Sequence, residues 1–435
     1  MASRPLSVPS GSLSRLARIG SMTTAVGANM ALNGAKQWTR GEAPAFRDLL
    51  MTPGNIKRIA DDLARLRGAA MKVGQLLSME SGEMLPPELA EILGRLRADA
   101  DFMPPKQLKR VLNDAWGPGW LGQFHRFDVQ PIAAASIGQV HRATTKDGRT
   151  LAIKVQYPGV ARSIDADVTN VGALVKVSGL MPKGFDIGPY LVEARKQLHQ
   201  EADYLRESAC LAEFRDLLAG DDRFILPELE PDLTRQTVLA MSFVPSEPIE
   251  SLNTAPQDVR DRVMAEMFEL LLRELFEFGV MQTDPNFANF RYDPETGRIV
   301  LLDFGAVRRF EPWVAERYRM LVRAGLAGDR QGMQDAATGI GFLAEDTDAR
   351  HAGMVMDMID LVFGSILSGA DFDFGSGDLS RQLNQLGARL AAEDFVPPPV
   401  PMDILFLQRK VAGTFLLANR LSARVLVRAL AERFV

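Results

Sequence analysis

The chain has one cysteine, Cys210, in 435 residues, so no disulfide can form within it; this fits a reducing compartment. Histidine is nearly as scarce. His125, His141, His199 and His351 are scattered without metal-ligand spacing, which argues against a zinc centre. A net charge of −5 argues against nucleic acid as the main partner. No uncharged apolar run approaches the roughly 18 residues of a membrane span. The nearest, Val263 to Met281, is interrupted by Glu266, Glu269, Arg273, Glu274 and Glu277. Its apolar positions recur at helical spacing and predict a core helix. Acidic residues are absent from Met1 to Gly41, where Arg4, Arg15, Arg18, Lys36 and Arg40 are basic. That segment reads as a flexible tail, with contact to anionic lipid and organelle targeting as the alternatives.

What is present is an ordinary globular composition, 46% hydrophobic and 24% charged, long enough for roughly two or three lobes. Prolines punctuate it. Helical pattern runs from about Ala45 to Trp116, broken at Pro53, Pro86-Pro87 and Pro104-Pro105. Strand pattern follows at 124–129, 138–144 and 150–156, then helix from 158 to 218 with a break at 181–184. A strand at 236–244, the core helix, a strand at 298–304 and a mainly helical remainder complete the chain. The expected class is α+β, with a β-rich lobe preceding a helical one. The expected divisions are a basic tail (1–44), a helical extension (45–116), an N-lobe (117–245), a C-lobe (246–345) and a helical C-terminal extension (346–435).

The chemistry-bearing residues stand in a fixed order. Leu151-Ala-Ile-Lys154 puts a lysine on a strand, Asp284 and Asn289 lie five apart, and Asp303-Phe-Gly305 follows Asn289 by 14 residues. This is the sequence plan of a protein-kinase site. In phosphoryl transfer the protein mainly positions groups and neutralises charge. Lys154 would clamp the α/β-phosphates of ATP or ADP, and Glu207 is the best acidic partner to hold it extended. Asn289 and Asp303 would hold Mg²⁺, a hard cation suited to oxygen ligands. Asp284 would accept a proton from a hydroxyl or orient a water. Ahead of the lysine, at the position of a phosphate-cradling loop, stand Ala133, Ala134, Ala135, Ser136, Ile137, Gly138 and, after Gln139, Val140. Such loops are normally glycine-built. Methyl groups at the three alanines disfavour φ > 0 and should stiffen the turn.

Together with Lys72-Val-Gly-Gln75 and Glu201-Ala-Asp203, the A-A-A-S-I-G-Q-V segment resembles the signature of the UbiB/AarF group of atypical protein-kinase-like proteins. The likeness covers about Met71 to Arg308, and Gln282-Thr-Asp-Pro-Asn286 resembles the mitochondrial coenzyme Q branch and its bacterial relatives. The wider family usually has histidines where Gln282 and Asn286 stand, so histidine chemistry is not carried over. The resemblance implies a kinase-like fold binding ATP or ADP with Mg²⁺ and supporting ubiquinone biosynthesis. It also implies a K-x-G-Q helix packed over the peptide-docking cleft, with Lys72 near Glu201 and the phosphates. Asp203 and Glu207, four apart, are expected on one helical face, whereas Glu201 owes its role to the resemblance alone.

After Asp303-Phe-Gly305 no A-P-E element occurs; a protein kinase uses that segment as its peptide platform. The acceptor is therefore expected to be water, a small molecule or a lipid. Two readings stand: an ATPase or small-molecule kinase, and a nucleotide-gated scaffold for a quinone-biosynthesis complex with incidental catalysis. Expected partners are nucleotide, hydrophobic quinone precursors or lipid, quinone-biosynthesis proteins, a peripheral membrane surface, and optionally a second copy of the chain. The expected location is the cytoplasmic face of a bacterial inner membrane, with the matrix side of the mitochondrial inner membrane as the alternative.

Overall fold

The computed structural model describes residues 67–81, 102–178, 186–366, 369–393, 395 and 398–435. The expectations for the basic tail and for breaks at Pro53, Pro86-Pro87 and 181–184 lie outside them. In chain order the elements begin with α1 (Arg67–Ser81), α2 (Pro105–Trp116), β1 (Phe124–Phe127), β2 (Ala133–Ala134), β3 (Gly138–Thr145) and β4 (Thr150–Gln156). Next come α3 (Val160–Ser178), α4 (Gly188–Glu201), α5 (Tyr204–Leu217), β5 (Phe224–Ile225), β6 (Val238–Ser242) and β7 (Glu247–Pro248). Then follow α6 (Gln257–Arg273), β8 (Val280–Gln282), β9 (Phe290–Asp293), β10 (Arg298–Leu301) and β11 (Val307–Arg309). The C-terminal part holds α7 (Pro312–Ala327), α8 (Arg330–Ile340), α9 (Ala349–Ile366), β12 (Phe372–Asp373), α10 (Asp378–Ala392), α11 (Met402–Arg420), β13 (Arg424–Val425) and α12 (Val427–Ala431).

Two compact units emerge. The first comprises the described residues up to Ala212 with Pro227–Phe243; the second is Glu213–Leu226 with Val244–Val435. In the first, an antiparallel sheet runs β1-β3-β4-β6, with β2 also paired to β3. β4 is buried along most of its length, so it reads as an apolar run rather than an alternation. Its core joins Leu151, Ile153 and Val155 to Leu108 and Leu112 of α2, and to Trp120 and Phe124. α2 starts where Pro105 occupies the first helical position, a place that needs no N–H. Gly117, at φ 83°, ends it. α1 packs against α3 and α4.

The 158–218 helical pattern divides into three helices. Between α4 and α5, Ala202 and Asp203 leave helical geometry, and the Asp203 side chain accepts from Arg206 N–H at 3.1 Å. Asp203 thus caps α5 at its N-terminus, which corrects the expectation that it lies with Glu207 on one helical face. The core-helix expectation is also shortened. α6 passes into a π turn over Glu274–Phe278, then Gly279 adopts φ 63°, a left-handed conformation open to glycine. Val280, Met281 and Gln282 leave as strand β8, which pairs antiparallel with β11. The second unit also holds a four-stranded sheet, β5-β10-β9-β7.

Candidate functional site

In the first unit, Lys154 sits centrally on β4, opposite Val140 of β3 and Leu239 of β6. Its Nζ donates to both carboxylate oxygens of Glu207 at 2.7 and 2.9 Å. Both residues are buried, and the ammonium lies 5.3 Å from the centre of the Tyr204 ring. A buried charge needs a compensating partner, and α5 supplies it one turn after its cap.

The alanine segment forms a hairpin with β3. Ala133 pairs with Val140 and Ala134 with Gln139, and Ala135 N–H donates to Gly138 C=O at 2.9 Å. Among the described residues only Ser422 and a set of glycines that excludes Gly138 have positive φ, so the turn uses conformations that alanine tolerates. Gly138 is glycine for another reason: a Cβ there would stand 2.4 Å from Val155 C=O and 2.8 Å from the Tyr204 hydroxyl. Ile137 is buried, and its C=O accepts from Tyr157 N–H at 2.9 Å.

Glu201, at the end of α4, ties this loop to α1. It forms an ion pair with Lys72, and its other oxygen accepts from the Ser136 hydroxyl at 2.8 Å. Gly68 on α1 meets the same loop: a Cβ there would be 3.1 Å from the Ile137 side chain. Lys72, Glu201, Ser136, Lys154 and Glu207 are thus held together in one unit, whereas Asp203 serves its helix.

The second unit gathers Asp284, Asn289 and Asp303. Asn289 Nδ2 donates to Asp284 Oδ2 at 3.0 Å, and Arg409 Nη2 lies 3.1 Å from Asp284 Oδ1. Leu302 N–H donates to Asn289 C=O at 3.1 Å, fixing the asparagine to the end of β10. Asp303 Oδ1 accepts from Gly305 N–H at 2.9 Å. Phe304 is buried, with its ring 4.9 Å from that of Phe214. Among the described residues no cluster of three or more His, Cys, Asp or Glu could hold a metal ion. The oxygen set of Asp303 and Asn289 still suits Mg²⁺, which takes one or two side-chain ligands and completes its shell with water and phosphate. The Asn289 amide nitrogen is turned to Asp284, so a cation there would meet its side-chain oxygen.

Sequence reasoning missed Arg409, Lys410 and Glu274. Their signal was weak: two adjacent cations interrupt the otherwise apolar face of α11. Lys410 is buried and lies 3.5 Å from Glu274 Oε2. Burial pushes the Glu274 carboxyl above its ordinary range, against the opposing pull of Lys410.

Residues 95–337 match the model of the ABC1 atypical kinase-like domain. The chain is 36% identical over 423 residues to atypical kinase COQ8, mitochondrial, of Saccharomyces cerevisiae, spanning 96% of this chain and 84% of that one. To atypical kinase COQ8B, mitochondrial, of Rattus norvegicus it is 36% identical over 435 residues, covering 98% and 81%. Among solved structures, Rv3197 of Mycobacterium tuberculosis, in its complex with erythromycin, superposes with a TM-score of 0.62 at 25% identity. That likeness covers 86% of this chain and 93% of the other. The chain belongs to the ABC1 atypical kinase-like family, with a kinase-like fold whose first unit carries the antiparallel sheet.

Proposed function

We propose that this chain is an ATP- and Mg²⁺-dependent atypical kinase or ATPase that supports ubiquinone biosynthesis, passing phosphoryl groups to water or a small-molecule or lipid acceptor. The observation that carries this reading is the buried, doubly hydrogen-bonded Lys154–Glu207 pair. A lysine held extended at that cost in desolvation is a preformed anion site. In this reading Lys154 supplies a point charge to the α/β-phosphates, and the Ala133–Gly138 hairpin offers backbone N–H groups and the Ser136 hydroxyl. Asp284 orients the acceptor and takes its proton, and Asn289 and Asp303 hold the magnesium. That ion, when bound, neutralises phosphate charge. Lys72 and Glu201 tie the hairpin to α1, which favours restraint of the loop over protein phosphorylation.

A nucleotide-gated scaffold is the second reading. It is favoured by the engagement of both Asp284 oxygens, one by Asn289 and one by Arg409. Partners in either reading are hydrophobic quinone precursors or lipid and quinone-biosynthesis proteins, at a peripheral membrane position. No described helix is long and apolar enough to cross a membrane. The mitochondrial names of the yeast and rat relatives support the matrix-side alternative.

The test is Asp284→Asn. The variant should bind Mg²⁺–ATP as tightly as the wild type, turn it over at least a hundredfold more slowly, and fail to restore ubiquinone in cells lacking the protein. Full restoration by a variant that still binds nucleotide would refute the enzyme reading in favour of the scaffold.

A further inference from the structure

A buried polar cluster beneath Asp284 is used by none of the roles above. Lys410 Nζ lies 3.1 Å from Gln282 Oε1, 3.5 Å from Glu274 Oε2 and 5.0 Å from the centre of the Phe290 ring. Lys410, Gln282 and Glu274 are 2%, 5% and 1% exposed. Glu274 Oε1 accepts from Gln282 N–H at 3.0 Å, and Gln282 Nε2 donates to Asp284 C=O at 2.9 Å.

The chemistry fixes the direction of this chain. An ammonium can only donate, so the Gln282 amide must turn its oxygen toward Lys410. Its NH₂ group then faces the Asp284 carbonyl, to which Asn289 Nδ2 also donates at 3.3 Å. A neutral residue in place of Lys410 would leave the buried amide oxygen without its donor, so that the amide is anchored at the Asp284 end alone. The same helix also fits against the loop by shape: a Cβ on Gly413 would stand 2.1 Å from Pro285 Cβ. α11 lies outside the matched family domain, which ends at residue 337.

We propose that Lys410 is a positioning residue for Asp284, acting through the Gln282 amide and charge-balanced by Glu274, so that a C-terminal helix sets the geometry of the catalytic loop. Its catalytic consequence rests on the function proposed above, but the loop geometry can be read without turnover.

Hydrogen exchange on the full chain provides that readout. In Lys410→Met, peptides covering 280–290 should exchange at least tenfold faster while peptides of the β5-β10 pair, in the separate four-stranded sheet, keep wild-type rates. Because Lys410→Met leaves Glu274 without its cation, Lys410→Met/Glu274→Gln is measured beside it; it removes both charges and should loosen the same peptides in a stably folded protein. Turnover of Mg²⁺–ATP should fall ten- to hundredfold in both, with nucleotide affinity unchanged. Wild-type exchange at 280–290 in the double variant would overturn the proposal, as would exchange raised equally throughout the second unit. So would a loosened loop with unchanged kcat. A loosened loop in a chain whose wild type turns over no ATP would uphold the positioning role and refute the enzymatic reading instead.

Discussion

Lys154→Met tests whether the Lys154–Glu207 pair is as desolvated as its geometry indicates. The lysine and glutamate side chains are 9% and 2% exposed, and both carboxylate oxygens accept from the same ammonium. Removing the lysine leaves a buried carboxylate without its principal cation, a change that typically costs about 3–5 kcal/mol. Removing both charges with groups of similar volume, as in Lys154→Met/Glu207→Leu, should cost far less, because the desolvation of each ion disappears along with their attraction. The double variant is therefore expected to be more stable than Lys154→Met alone by about 2 kcal/mol or more, reversing the usual accumulation of damage. Urea unfolding followed by tryptophan fluorescence is the assay, since Trp116 and Trp120 lie in the aromatic packing of the same unit. A Lys154→Met cost below about 1 kcal/mol, or a double variant at the sum of the two singles, would refute the argument. The pair would then behave as a solvated surface contact.

Three further outcomes follow from the first unit. Gly138→Ala should destabilise it by about 2–3 kcal/mol, because the new methyl meets the Val155 carbonyl of the sheet backbone; unchanged urea stability would contradict this. Ala135→Gly should loosen the hairpin, shift the ATP/ADP preference and raise autophosphorylation, and equal nucleotide affinities with equal phosphate incorporation would count against the stiffened-loop reading. His141 is held neutral chiefly by burial, which lowers its pKa from the usual value. Gln139 Oε1 accepts from Met103 N–H, so its NH₂ group meets His141 Nε2, and His141 Nδ1–H donates to Asp128 C=O. The unfolded chain takes up the proton first, so this contribution is fully present above about pH 6.5 and is lost as pH falls below it. His141→Phe should flatten that part of the stability–pH curve; an unchanged slope would show that another group is responsible.

Lys154, Asp284, Asn289 and Asp303 could be recognised in the sequence because their identities and intervals are set by one local plan. β4 was legible to its ends, since Thr150–Gln156 is rich in apolar and β-branched residues around Lys154. The helix break at Ala202–Asp203 was not, because no proline or glycine marks it and periodicity alone carries a helix across it. The end of α6 was missed for a related reason. The apolar positions continue through Met281 with helical spacing, and only the backbone of Gly279 shows where the chain turns. Arg409 and Lys410 act 125 and 128 residues from their partners Asp284 and Gln282. Contacts at that separation leave no period in a sequence, and a cationic pair in a helix ordinarily reads as a solvated face.

The seating of Gly413 against Pro285 bears on where the folding unit ends. A truncation at residue 337, the limit of the recognisable domain, would keep every motif residue and still expose Pro285, strip Arg409 from Asp284 and take Lys410 from Glu274 and Gln282. Such a fragment would carry the full signature without the part that makes it rigid. The smallest autonomous form of the second unit is therefore expected to extend at least through α11, making the minimal protein longer than the minimal motif.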